Sequence, residues 1–216
     1  KNQSFCSTCV AFATAAVMET QARIETQIPE GSPDSHKLLD LSEAQLFFCE
    51  GDIASLPCAT LRSIAPVLQF AQTTGVIPAA CFPYPIHGVR DMGYREGCVA
   101  CDGWEAKVTK INGYRSFANA DGTPNQAQMK ASLAAGRPLL IGLSGWLDFV
   151  AYTSGVYRRS KARWNRELGG HCMACIGYDD EKQAWLCKNC WSTCWGEDGF
   201  VWIGYDQPEL NFEVWG

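Results

Sequence analysis

The sequence predicts an α+β fold of two lobes, one helical and one built on strands, and two observations carry that expectation. Apolar residues recur at helical spacing through the first hundred residues, whereas beyond about residue 105 the pattern turns to short apolar and alternating runs typical of strand. The 216 residues, 47% hydrophobic and 19% charged, suffice for one large domain or two small ones. A helical lobe over 1–105 and a β lobe over 106–216 are therefore expected, the second an antiparallel, barrel-like sheet. Packing one lobe on the other leaves a cleft where a site can form.

The elements follow in order. From Cys9 to about Gln27, the residues Val10, Phe12, Ala13, Ala16 and Val17 recur at helical spacing, with Ser7 and Thr8 as capping candidates. The stretch "LDLSEAQLFFC" starts a second helix with Ser42 as its N-cap, and "IAPVLQFAQTTG" reads as a third helix stopped by Gly75. Proline punctuation makes "VIPAACFPYPIHG" irregular. The second half reads as strands at "AKVTKINGYRSF", "RPLLIGLSG", "GVYRR", "HCMACIGY", "AWLCKNCW" and "GFVWIGY", with a short helix near 125–135. The polar turn "DDEKQ" makes the fourth and fifth of these strands a hairpin.

Composition excludes several function classes. Net charge is −5 with the basic residues scattered, so neither nucleic acid nor an anionic membrane is an expected partner. The longest apolar stretches, such as "PLLIGL", are too short to span a bilayer. The N-terminus lacks a signal-peptide pattern, so any targeting segment would already have been removed. Twelve cysteines point to an oxidising compartment, with buried reduced thiols as the alternative. If one cysteine is a nucleophile, the eleven that remain cannot all pair.

Cys6 and Cys9 open the chain as C-x-x-C, a spacing shared by a redox pair, half of a metal site, and a bonded cysteine beside a reactive one. A thiol nucleophile needs a base, and the chain offers only His36, His87 and His171. The first two lie in polar or turn-like contexts, whereas His171 follows Gly169 and Gly170 and opens an apolar strand. Asn189 falls on the strand expected to pair with that of His171. Its side-chain oxygen could accept from one ring nitrogen and leave the other to face a thiol. Trp191 and Trp195 could shield that bond from water. Two rivals use the same cysteines. A redox pair at Cys6 and Cys9 usually needs a βαβ context, and only five residues precede Cys6. A four-thiolate zinc ribbon at Cys172, Cys175, Cys187 and Cys190 has the right spacing, but those residues interleave with His171, Asn189 and Trp191 in extended strand.

The motifs "KNQSFCSTCVAFA", "LSEAQLFFC", "FPY", "GGHCMACIGY" and "KNCWSTCWGEDGF" together resemble the papain-like cysteine proteases, in that family's order and at about its spacings. The resemblance runs nearly end to end and implies a two-lobed papain-like fold and a cysteine endopeptidase without cofactor or metal. By this resemblance Cys9 is the nucleophile, His171 its acid–base partner, Asn189 the residue orienting the ring, and Gln3 a donor to the oxyanion hole beside the backbone N–H of Cys9. Trp191 covers the His–Asn pair. Cys6 is then paired with Cys58, and Cys49 with Cys98 or else Cys101, so the C-x-x-C spacing is incidental. Peptide or protein is the implied substrate, and an inhibitory propeptide or a larger parent chain the implied partner. The implied location is extracellular, lysosomal or vacuolar.

The chain also departs from the family. Val10 replaces the usual tryptophan after the nucleophile, and Ser7 the usual glycine near the substrate backbone. The loop "CATLRSIAP" lacks the glycines that normally pair with substrate. Cys190, Cys194 and Cys172 stand close to the implied base, as bystanders or as a redox-sensitive pair. By alignment Gly142, Gly169 and Cys172, all small, line the pocket for the side chain two before the scissile bond, beside Gly170. A bulky apolar or aromatic side chain is expected there. The competing reading is a catalytically silent papain-fold structural or binding module.

Overall fold

The computed structural model describes residues 1–28, 32, 39–50, 62–84, 101–207, 210 and 212–216. The chain divides into two units, Gln3–Tyr114 and Lys1–Asn2 together with Arg115–Gly216.

In the first unit, α1 (Cys9–Thr26) buries nearly everything in its first two turns, Cys9 through Ala15, and then Met18. The small residues of "AFATAA" allow α2 (Glu43–Phe48) and α3 (Ile64–Thr73) to approach it. Ser42 caps α2 as expected, its Oγ accepting from the Gln45 N–H at 3.0 Å. The Oγ also donates to the Phe82 carbonyl at 2.5 Å. Pro66 sits in the first turn of α3, where its missing N–H costs no helical bond. Gly75 ends that helix at φ +90°, and a Cβ there would come within 2.9 Å of Lys110 and 3.0 Å of Val108. The stretch expected to begin the strands behaves differently. Trp104–Lys107 is a 3-10 turn, and Thr109 pairs with Val76 in an isolated bridge of this unit. Ser116, from the end of the same stretch, instead bridges Trp215 in the other unit. The alternation was real, but it served two short pairings rather than one strand.

The second unit holds α4 (Gln126–Ala134), β1 (Leu139–Trp146), α5 (Leu147–Val150), β2 (Val156–Tyr157), β3 (Glu167–Asp179), β4 (Ala184–Lys188), β5 (Phe200–Gly204) and β6 (Glu213–Trp215). The six strands run in the order β2-β5-β4-β3-β1-β6. The sheet is therefore open, with β2 and β6 as edges, and not the barrel-like lobe expected from sequence. Nor is it wholly antiparallel, since β2 pairs β5 in parallel. The DDEKQ turn does join β3 to β4 as an antiparallel pair. α4 packs against β3 and β1, with its Asn125 cap accepting from the Gln128 N–H at 3.0 Å. The core gathers Leu139, Ile141, Met173, Trp185, Val201 and Ile203, all essentially buried. Lys1 and Asn2 join this unit through a bridge from Asn2 to Trp191 and a bond from the Ser192 N–H to the Lys1 carbonyl.

Cysteine chemistry differs between the units. Cys6 and Cys49 are disulfide-bonded, while Cys58 and Cys98, their expected partners, lie outside the described residues. Cys101, the alternative partner for Cys49, is bonded to Cys81 instead. That bond was not anticipated. Cys172, Cys175, Cys187, Cys190 and Cys194 keep their thiols.

Trp185 is 2% exposed and packs against Tyr205 at 4.5 Å and Tyr178 at 6.3 Å between ring centroids. Trp185→Ala should lower unfolding free energy by about 3–5 kcal/mol in a urea titration, the usual cost of emptying such a site. A change below about 1 kcal/mol would place the core elsewhere.

Candidate active site

The β1–β3 register brings Leu143 opposite His171, Ser144 opposite Gly170 and Gly145 opposite Gly169. A Cβ on Gly145 would meet the Gly169 carbonyl at 3.3 Å and the His171 Cβ at 3.8 Å, so glycine lets the two backbones close beside the imidazole. The β3–β4 pairing carries the chain back to Lys188 opposite Ala174. Asn189 therefore falls one residue past the end of β4 rather than on the strand, where its N–H donates to the Gly199 carbonyl at 2.9 Å.

His171 Nε2 and Asn189 Oδ1 lie 2.8 Å apart, and both residues are buried. The orientation of the amide is fixed locally. The backbone N–H of Cys190 donates to the same Asn189 oxygen at 2.8 Å, and an NH₂ group there would face a donor. Since Asn189 presents an oxygen, His171 Nε2 must carry the hydrogen. Nδ1 is then left with its lone pair, as a base requires. Asn189 Nδ2 is buried without a hydrogen-bond partner.

Aromatic rings pack around the imidazole. The Trp191 indole lies 4.6 Å from the imidazole centroid at 31°, close to stacked. Trp195 meets Trp191 edge-on at 5.1 Å and anchors its Nε1–H on the Val150 carbonyl at 3.0 Å. Phe149 of α5, which carried no sequence signal, packs against His171, Trp191 and Trp195 at 6.2, 5.6 and 5.1 Å. Burial in this cage draws the imidazole from its ordinary 6.5 down to about 4, against the Asn189 hydrogen bond, which raises it.

Cys9 belongs to the first unit, as the first residue of α1, buried and carrying its thiol. Thr8 occupies the N-cap position without capping through its side chain. Its hydroxyl instead bonds the Tyr84 hydroxyl at 3.0 Å, and Tyr84 donates to the Gln3 carbonyl at 2.8 Å. The buried Gln3 side chain donates from Nε2 to the Cys6 carbonyl at 2.7 Å. Tyr84 thus holds the segment from Gln3 to Thr8, a role that "FPY" hinted at only as a motif. Ser7 is half-buried in the turn before α1.

Of the expected subsite residues, Gly142 and Cys172 are direct cross-strand partners, and Gly169 and Gly170 precede His171 on β3. Cys175 and Cys187 also face each other across β3 and β4. The Cys187 thiol is pushed up by its hydrogen bond with Cys175 and by burial. Among the described residues, no group of three or more histidine, cysteine or acidic side chains is placed to hold a metal ion.

Comparison with known proteins places these features in company. The pattern described as papain family cysteine protease matches residues 1–213. The chain is 29% identical over 233 residues to a gut-specific cysteine proteinase of Caenorhabditis elegans, covering 99% of this chain and 66% of that protein. It is 30% identical over 217 residues to a senescence-specific cysteine protease of Arabidopsis thaliana, covering 95% of this chain and 53% of that one. The chain therefore spans about half to two thirds of the length of these relatives. Its fold matches that of bromelain from Ananas comosus with a TM-score of 0.70 at 23% identity, covering all of this chain and 90% of that one. It likewise matches a proCathepsin B from Trypanosoma congolense with a TM-score of 0.75 at 20% identity, covering all of this chain and 70% of that one.

The lowered His171 value has a consequence for stability. An unfolded chain takes up a proton at His171 near pH 6.5, whereas the native chain resists until about 4. Between those limits the unfolded state binds more protons, so stability falls as pH falls, by about 3 kcal/mol over the window. We expect this in denaturant titrations of Cys9→Ala, chosen to take thiol titration out of the measurement, and a flatter profile on adding His171→Gln. Equal slopes in both would assign the dependence to other groups.

Proposed function

The chain belongs to the papain family of cysteine proteases, and on that premise we propose that it is a cysteine endopeptidase working through a thioester acyl-enzyme. The observation that carries this reading is the buried 2.8 Å bond between His171 Nε2 and Asn189 Oδ1, with Nδ1 left basic. A structural histidine needs no oriented amide, no stacked indole and no fixed tautomer.

In this mechanism Cys9 gives its thiol proton to His171 Nδ1, the resulting thiolate attacks the scissile carbonyl carbon, and the electron pair of the C=O bond moves onto oxygen. The start of the 18-residue α1 favours the thiolate, since the helix dipole stabilises negative charge there. The oxyanion is met by the Cys9 N–H and by the Gln3 side-chain amide. Such donors are worth about 3 kcal/mol each in the transition state. As the tetrahedral species collapses, His171 gives its proton to the leaving amine and a thioester remains. Water then attacks the thioester, losing a proton to His171, and the acid departs with Cys9 restored. Asn189 keeps the ring oriented throughout, and Trp191 keeps water from the bond between them.

Residence in an extracellular, lysosomal or vacuolar compartment is supported by the bonded Cys6 and Cys49 and the Cys81–Cys101 disulfide. An inhibitory propeptide as partner is supported by the fold match to a proCathepsin B. A bulky apolar or aromatic side chain two before the scissile bond is supported by the small size of Gly142 and Cys172, which are partners across β1 and β3.

Two experiments test this reading. Iodoacetamide should label Cys9 well below pH 7, mapped by mass spectrometry, and His171→Ala should shift labelling toward the ~8.5 of an ordinary thiol. Labelling of the unaltered chain only above about pH 8 would sink the peptidase mechanism and favour a silent papain-fold module. A library of end-blocked, internally quenched peptides should be cleaved, with bulky apolar residues preferred at the second position before the cut. Gly142→Val should move that preference to smaller side chains. A preference for small residues in the unaltered chain would refute the pocket assignment.

A further inference from the structure

The even spread of basic residues expected from the sequence fails at one place. Arg158, Arg159, Lys161, Arg163 and Arg166 fall within nine residues between β2 and β3, with no acidic residue among them. The rest of the chain holds 13 basic residues against 23 acidic ones. An acidic protein thus concentrates more than a quarter of its cations in a single loop.

The loop is held from beneath. Asp148 of α5 accepts from the Tyr157 hydroxyl at 2.8 Å and the Ser160 N–H at 2.7 Å. The buried Asn165 accepts from the Asp148 N–H at 3.1 Å and donates to the Ser160 carbonyl at 2.9 Å. The Arg159 N–H donates to Gln207 Oε1 at 2.8 Å, and its guanidinium lies 3.8 Å from the Trp146 ring centroid. The Leu147 N–H donates to the Arg166 carbonyl at 3.0 Å. Arg159 therefore serves the loop itself, while Arg158, Lys161, Arg163 and Arg166 are exposed. Among the described residues, Arg158, Arg163 and Arg166 form no ion pair with a carboxylate. Trp164, between the last two, is 61% exposed, and Leu147, Val150 and Leu168 beside the loop are also exposed.

We propose that the 158–166 loop is a docking surface for an acidic peptide segment of the protein substrate, one that carries an apolar or aromatic side chain for Trp164. The substrate assignment rests on the peptidase reading; the surface does not. Charge complementarity selects the sign of the partner. The exposed apolar residues beside the arginines select a short peptide over an extended polyanion. A long sulfated sugar or nucleic acid would leave the exposed Leu147, Val150 and Leu168 unused. Because the loop is already fixed by Asp148 and Asn165, docking orders little backbone. Its location suits a substrate contact, since α5 holds the loop through Leu147 and Asp148 and packs Phe149 on the His171 ring.

Binding is measured on the full chain with Cys9→Ala, so the result does not depend on turnover. The probe is a fluorescein-labelled peptide of six glutamates around one phenylalanine, read by anisotropy. Its glutamine analogue, a heparin hexasaccharide and a twelve-nucleotide single-stranded DNA serve as comparisons. We expect the acidic peptide alone to bind, about tenfold more weakly after Arg163→Glu with Arg166→Glu, and more weakly as salt is raised. Trp164→Ala should weaken binding while leaving the salt dependence in place. Equal binding by the double variant, or by the glutamine analogue, would overturn the assignment. Tighter binding of heparin or DNA than of the peptide would also overturn it, in favour of a polyanion site. Failure of Cys9 labelling leaves all of these outcomes unaffected.

Discussion

The backbone N–H of Cys190 is the smallest group on which the sheet unit's chemistry depends. By donating to Asn189 Oδ1 it decides which way a buried amide points, and the amide decides which nitrogen of His171 is protonated. A backbone group is well suited to this, since it cannot rotate away as a hydroxyl can. The arrangement has a cost, because Asn189 Nδ2 is left buried without a partner. His171 packs against Trp191 and Phe149, with Trp195 against both of those rings, so its bond to Asn189 cannot be exchanged for water without moving them.

The hydrogen bond is in turn a product of strand geometry. Eighteen residues separate His171 from Asn189 along the chain. The hairpin between β3 and β4 folds that distance back on itself, and the bulge between Cys175 and Gly177 shifts the register on the way. The close approach of Gly145 to Gly169 brings β1 against the same end of β3. An imidazole at this position is therefore held by β3, by the close approach of β1 and by Asn189 just past the end of β4.

The parts of the fold that could be read from sequence were those set by local chemistry. Ser42 announced its helix because a short oxygen-bearing side chain satisfies an N–H three residues ahead. The DDEKQ hairpin and the His171–Asn189 pairing were legible for a similar reason, since a turn fixes its neighbours. Long-range choices were not legible. Nothing in "AKVTKINGYRSF" says that Thr109 pairs with Val76 while Ser116 pairs with Trp215. The parallel meeting of β2 with β5 joins segments over forty residues apart, and alternation carries no record of a partner. Phe149 went unnoticed because a phenylalanine in a four-residue helix looks like ordinary core until the rings beside it are placed. The cation-rich loop was missed for a plainer reason: net charge averages over position, and position was what mattered.

The segregation of cysteine chemistry has its own consequence. Among the described residues, the disulfide-bonded cysteines all lie within Gln3–Tyr114, while every cysteine of the sheet unit is a thiol. A reductant therefore acts on one half of the molecule only. It releases the cross-links around the α1 helix and finds nothing to cleave around His171 and Asn189. The redox environment is coupled to how firmly the nucleophile is held, and the base and its orienting amide stay outside that coupling.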